Sequence, residues 1–192
     1  MDRKEFERTV AKARTEEERL AWFGALLSRE SNLEGRLIIV GESAIEIYLT
    51  SNEYVSMDID VVGNRDAITS VLRQWGFLRE IGRDRRVYWV KKGLGSVDLV
   101  GSRDRSGLPP GSRPTPFGDV LLAPVEYLIV RRLMRAGQKQ STELFRQAEV
   151  LAARFKKNLD WDYVRVQADY EKVLPLYVQL RDEVLAKRAK RK

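Results

Sequence analysis

Met57-Asp58-Ile59-Asp60-Val61-Val62 (residues 57–62) puts two carboxylates one residue apart inside an apolar run that reads as a β-strand. Along a strand, residues i and i+2 share a face and lie roughly 6.5 to 7 Å apart. Asp58 and Asp60 are therefore expected side by side on one face, with Ile59 and Val61 on the other. Two like charges so placed repel each other and resist desolvation. A positive partner should stabilise them, and a divalent metal ion is the simplest candidate.

Composition narrows the choice of metal. The chain has no Cys and no His, which excludes zinc sites, Ser-His-Asp triads, cysteine nucleophiles and imidazole general bases. Carboxylate chemistry remains. Oxygen-only ligation points to Mg²⁺ or Mn²⁺, ions that keep several waters and are typically completed by substrate phosphates.

Immediately upstream, Leu37-Ile38-Ile39-Val40 reads as a short strand ending at Gly41, after which Ser43 and Glu46 have the spacing of a capping box at the start of a helix. A helix N-terminus at a glycine turn offers free backbone N–H groups and a positive dipole end, a natural cradle for phosphate. Ser43 would add its hydroxyl, although a plain helix cap is the competing reading. Downstream, Asn64 is a good N-cap for an amphipathic helix carrying Ile68, Val71, Leu72 and Trp75 and ended by Gly76. Three strands are expected next, over Phe77 to Ile81, Arg86 to Val90 and Ser96 to Val100, the last two joined by the turn Lys92-Gly93-Leu94-Gly95. Asp98 sits between Val97 and Leu99 in the third. A lone Asp in an apolar strand needs a partner, which makes it either the third carboxylate of the set or the partner of Lys91 or Arg103.

The flanks are helical. Phe6, Val10 and Ala13, then Leu20, Trp22, Phe23, Leu26 and Leu27, recur at helical spacing, and Thr15 with Glu18 forms a capping box for the second of two N-terminal helices. Residues 102–118, rich in Gly, Pro, Ser and Arg, read as a long loop, either a substrate flap or a solvated tether. Asp119 to Leu122 reads as a short edge strand. Pro124 suits the first turn of a helix containing Val125, Leu128, Ile129, Leu133 and Met134 and closed by Gly137. Helices are expected around Leu144 to Phe155, Trp161 to Tyr170 with Asp160 as cap, and Leu174 to Ala186. The 192 residues, 43% hydrophobic, thus divide near residue 122 into a core of strands and helices (1–122) and a helical region (123–192).

The formal charge is +7, which favours a polyanionic partner. From Arg79 to Arg113 there are nine basic residues against four acidic ones, and Lys187 to Lys192 add five more cations. A frayed, solvated helix end is the competing reading of that tail. No apolar run approaches the roughly 20 residues that span a bilayer, and the charged N-terminal segment does not read as a signal peptide. A cytoplasmic protein without membrane contact is expected.

Gly41-Glu42-Ser43-Ala44, Asp58-Ile59-Asp60 and Val97-Asp98-Leu99 together resemble, in order, the pattern of the DNA polymerase β-like nucleotidyltransferase superfamily. Gly-x-Ser-Ala-Ile-Glu-Ile-Tyr from Gly41, the approach Tyr54-Val55-Ser56-Met57, and Ala123-Pro124-Val125-Glu126-Tyr127-Leu128 with Arg132-Leu133 look most like a prokaryotic group of nucleotidyltransferase-like proteins related to the AbiEii-type toxins of abortive-infection systems. The resemblance spans about residues 30 to 170. It implies an α/β (α+β) fold, a mixed sheet flanked by helices with a C-terminal helical part.

What the resemblance implies about chemistry is equally specific. Asp58, Asp60 and Asp98 would be the catalytic, metal-binding carboxylates, holding Mg²⁺ or Mn²⁺. Gly41 and Ser43 would hold the triphosphate of an NTP substrate, helped by a basic residue of the first C-terminal helix, Arg131 or Arg132. A nucleoside monophosphate would pass to RNA, protein or a small molecule, with a toxin-like role in view. Two departures bear on this: Glu42 stands where Gly or Ser is usual, and the interval between turn and Asp58 is long for the superfamily. The alternative is a catalytically silent protein of the same fold that binds nucleotide or nucleic acid, or acts as an interaction partner. A haloacid-dehalogenase-type phosphatase fits poorly, since Val61-Val62-Gly63 follows Asp60 where a Ser or Thr is wanted. The sequence names neither acceptor nor oligomeric state.

Overall fold

The structure, a computed structural model, describes residues 1–50, 58–82 and 86–186. Residues 54–57 of the approach to Asp58, Arg83 and Arg85 of the basic segment, and the tail from Lys187 lie outside the described residues. The chain divides into two compact units, Met1–Ala123 and Pro124–Lys192. The architecture is mixed α/β, as expected.

The first unit begins with α1 (Arg3–Val10) and α2 (Glu16–Glu30), started by the side chains of Asp2 and Thr15, which accept from the N–H groups of Glu5 and Glu18. Glu18 reaches back to the Arg14 N–H at 2.6 Å, so a reciprocal cap forms one residue before the expected donor. Then come β1 (Ile38–Val40), α3 (Gly41–Leu49), β2 (Asp58–Val62) and α4 (Arg65–Gln74), the last capped by Asn64. Five strands follow: β3 (Leu78–Ile81), β4 (Val87–Lys91), β5 (Gly95–Gly101), β6 (Gly111–Thr115) and β7 (Gly118–Leu122). They form one seven-stranded sheet in the order β3-β4-β5-β2-β1-β7-β6. β1 runs antiparallel to β2 and parallel to β7, and β2 runs parallel to β5.

Two expectations are corrected here. The second half of the supposed loop 102–118 is strand β6, and Asp119 to Leu122 is no edge strand but lies between β1 and β6. Composition hid β6 because Gly111-Ser112-Arg113-Pro114-Thr115 has the residues of a turn, and Pro114 is tolerated there because β6 is itself the edge. Arg113 pins that edge, donating to Ile47 O at 2.9 Å and pairing with Glu17 at 3.0 Å.

The core lies on one face of the sheet. Ile39, Ile59, Val61, Val97, Trp89 and Val120 are at most 3% exposed. α2 comes close at Gly24, where an added Cβ would sit 2.8 Å from Val120 Cγ2 and closer still to Ile39 Cδ1. Around α1 and α4, Phe6 stacks on Trp75 with centroids 4.0 Å apart, and Phe23 and Phe77 close the cluster. Such pairs add about 0.5 to 1.5 kcal/mol each beyond the burial itself. At the margin of this cluster Lys91, 7% exposed, donates to Trp75 O and pairs with Glu7 Oε1, both at 2.7 Å, with its ammonium 5.8 Å from the Phe77 ring.

The second unit contains α5 (Val125–Lys139), α6 (Thr142–Phe155), α7 (Trp161–Tyr170) and α8 (Leu174–Ala186). Ser141 and Asp160 cap α6 and α7, so α6 starts two residues earlier than its apolar pattern indicated. Gly137 does not close α5, which runs on to a left-handed Gln140 (φ 51°). Gly137 instead lets the helix approach Leu176, 3.3 Å from where a Cβ would stand. Within this unit the Tyr177 hydroxyl donates to Trp161 O, and burial pushes its phenol up. Among the described residues no helix is long and apolar enough to cross a membrane.

Gly24→Ala is expected to destabilise the protein by about 1 to 3 kcal/mol through overpacking, measured as a lower urea midpoint. Hydrogen bonds from Lys91 and then Arg3 hold the Glu7 carboxyl below its ordinary value of 4.5. A lowered pKa stabilises the fold above the unfolded-state value and loses that contribution as pH falls. Glu7→Gln should therefore be less stable than wild type at neutral pH. The difference should shrink below pH 4.5 and vanish below the lowered value, as read from unfolding midpoints across pH.

Candidate functional site

β2 meets opposite demands on its two faces. Ile59 and Val61, at 2% and 0% exposure, belong to the core, whereas Asp58 is exposed and Asp60 half-buried. The parallel register with β5 sets Asp60 opposite Asp98 and Asp58 opposite Ser96. The antiparallel register of β4 with β5 sets Tyr88 opposite Asp98. Residues directly opposite in neighbouring strands share a face, with strands about 4.8 Å apart. Asp58, Asp60, Ser96, Asp98 and Tyr88 thus form a patch on the face away from Ile59 and Val61.

Each carboxylate has a distinct environment. Ser96 Oγ donates to Asp58 Oδ1 at 2.6 Å. Asp98 is only 7% exposed, and Arg86 Nη1 stands 3.9 Å from its Oδ2. That guanidinium is 67% exposed, so solvent screens most of the attraction. Lys91, one of the two cations considered as a partner for Asp98, is engaged by Glu7 and Trp75.

Asp60 is shaped by the turn beside it. Val40 pairs with Asp60 across β1 and β2, and Gly41 follows at φ +70° as the first residue of α3. A Cβ at Gly41 would collide with Asp60 Oδ2. Glycine serves here twice, for the left-handed backbone and for the space taken by the carboxylate. Ser43 is not the helix cap that its spacing indicated. Val40 holds the N-cap position without a side-chain bond, and Ser43, fully buried inside the first turn, donates to Val40 O at 3.2 Å. Glu42 is half-buried in the same turn.

Arg131 and Arg132 lie on α5, in the second unit. Arg131 is exposed, and Arg132 is 3% exposed. Sequence reading missed Ser96, Tyr88 and Arg86 as neighbours of the carboxylates. Parity along β5 offered a signal for Ser96, two residues before Asp98, whereas Tyr88 and Arg86 become visible only through strand pairing.

Among the described residues no three acidic side chains form a group that could hold a metal ion. The donor set is still of the right kind. Mg²⁺ is commonly bound through one or two carboxylates, with water and substrate phosphates completing an oxygen shell, and the paired Asp60 and Asp98 supply two hard oxygen donors on one face.

Gly41→Ala should cost about 1 to 2 kcal/mol from the left-handed backbone alone, plus the clash with Asp60. In Gly41→Ala/Asp60→Ala the clash is gone, so a double-mutant cycle in urea should show positive coupling between the two positions. Strict additivity would mean that Asp60 does not occupy the turn.

No family model matches the chain, and no curated protein matches it. Solved structures do. An antigenic nucleotidyltransferase-like protein from Paracoccidioides brasiliensis superposes with a TM-score of 0.55 at 13% identity, over 84% of this chain and 92% of that one. The antibiotic-resistance factor ANT(2'')-Ia, known in solution, superposes with a TM-score of 0.50 at 14% identity, over 89% of this chain and 98% of that one. The chain has a nucleotidyltransferase-like fold.

Proposed function

We propose that the protein is a metal-dependent nucleotidyltransferase that moves a nucleoside monophosphate from an NTP to an acceptor hydroxyl. The observation that carries this reading is the register of β2 with β5, which sets Asp60 beside Asp98 with Asp58 one pleat away. The Gly41 turn against Asp60 and the likeness in fold to the nucleotidyltransferase-like protein support it.

Asp60 and Asp98 would hold Mg²⁺ or Mn²⁺ between them, with Asp58 beside them on the same face. When bound, the ion would neutralise charge on the phosphate oxygens and favour in-line displacement. The backbone N–H groups of the Gly41 turn would receive the triphosphate. Ser43 would act through that turn, since its hydroxyl is buried against Val40 O. Asp98 would orient the acceptor hydroxyl and take its proton. The acceptor oxygen then bonds to the α-phosphorus, the bond to the bridging oxygen breaks, and pyrophosphate leaves. RNA, protein or a small molecule would supply the hydroxyl. The toxin-like role and cytoplasmic location belong to the same proposal.

Glu42 in the phosphate-facing turn favours a second reading, a catalytically silent protein of this fold that binds nucleotide or nucleic acid. Calorimetric titration with non-hydrolysable ATP and CTP analogues, with and without Mg²⁺, separates the two. The first reading expects metal-dependent binding that falls at least about ten-fold, or about 1.4 kcal/mol, in Asp58→Ala/Asp60→Ala. Metal-independent binding, or none, would leave the silent reading.

A further inference from the structure

A second polar site lies at the other margin of the sheet, in a cavity of about 260 Å³ bounded by Arg3, Glu7, Gly76, Lys91 and Lys92, with Leu78 and Val90 as its apolar wall. Three cations and one carboxylate meet there. The Glu7 carboxylate is already committed, since its Oε1 pairs with Lys91 Nζ at 2.7 Å and accepts from Arg3 Nε at 3.0 Å. Its charge is offset inside that triad, leaving a net positive charge of about two once Lys92 is included.

The geometry of Arg3 adds to the charge. Its stem and guanidinium lie over Gly76, where a Cβ would stand 3.0 to 3.1 Å from Cδ, Nε and Nη1. Gly76 is left-handed at φ +79°, so the residue that ends α4 is also the one that makes room for Arg3. Held at Gly76 and at Glu7, the guanidinium presents terminal nitrogens that have no protein partner among the described residues. Lys92 likewise has none among them. The Arg3 guanidinium, 62% exposed, beside the exposed Lys92 ammonium and above the buried Lys91, suits a doubly charged tetrahedral oxyanion.

We propose that this cavity is an anion site that takes a phosphate group, held by Arg3 and Lys92 over the Glu7–Lys91 pair. It stands apart from the carboxylate patch. Leu78, Val90, Ser96 and Asp58 are successive neighbours across four strands, which puts Leu78 about 14 Å and Val90 about 10 Å from Asp58. Binding here needs no metal and no catalysis. The phosphate comes either from a nucleic-acid backbone or from a free phosphate or small phosphomonoester.

The test titrates the full chain, without divalent metal, against inorganic phosphate and against a single-stranded oligothymidylate lacking terminal phosphate. Arg3→Gln/Lys92→Gln is compared with Arg154→Gln/Lys157→Gln, which removes equal charge from the second unit. The first variant should bind at least about ten-fold more weakly and the second about as wild type. Loss confined to inorganic phosphate assigns the free or monoester source. Loss on the oligonucleotide, with a log K against log salt slope shallower by about 1.4, assigns the polynucleotide source. Lys92→Gln alone leaves the Glu7 clamp intact and should show a smaller loss of the same kind, so the site remains testable if the double variant unfolds. No binding of either probe by wild type, or equal weakening in both double variants, overturns the proposal.

Discussion

A strand that must bury one face and present carboxyl oxygens on the other constrains the whole first unit. β2 resolves the conflict by alternation: Ile59 and Val61 anchor the core while Asp58 and Asp60 stand opposite. Position in the sheet is the second half of the solution. β2 is an interior strand, paired with β5 along its length and with β1 from Asp60 to Val62, so from Asp60 onward its backbone has strand partners on both sides. The carboxylates alone then need stabilising, and Ser96, the Gly41 turn and Arg86 are the neighbours that the fold brings to them.

Glycine appears where the backbone must come unusually close to something that the site or the core needs. Gly41 faces a carboxylate oxygen, Gly24 faces the sheet, and Gly111 faces the Tyr48 hydroxyl, which itself donates to Ala123 O at 3.0 Å. In each case the missing Cβ lets one element touch another at a distance that no other residue allows. Gly41 is the member of this set whose neighbour is a carboxylate, that of Asp60.

Much of this was legible in the sequence because local rules and tertiary structure agree. Thr15, Asn64 and Asp160 cap the helices that their spacing announces, and the alternation Asp58-Ile59-Asp60-Val61 assigns both faces of β2. The failures share a cause. β6 has turn-like composition and exists because β7 pairs with it, Ser43 has the spacing of a cap yet lies within the first turn, and Gly137 is a packing glycine where a terminator was expected. Tyr88 and Arg86 lie near Asp98 through pairing across strands, which no single segment encodes. The carboxylates of the candidate site were therefore readable from one strand's alternation, but Tyr88 and Arg86 beside them were not.

The place of β1 in the sheet has a consequence for how the chain acquires its structure. β1 ends at Val40, but one of its two partners, β7, is complete only at Leu122. During synthesis from the N-terminus, Ile38 and Ile39 thus wait for some eighty further residues before both edges of β1 are closed. Until then a nascent chain carries an open, apolar strand edge of the kind that recruits other strands. The long closure also raises the mean sequence separation of contacts, which slows folding relative to helical units of similar size. The first unit is in this sense obliged to finish late, and a truncation before β7 leaves the centre of its sheet as an adhesive surface.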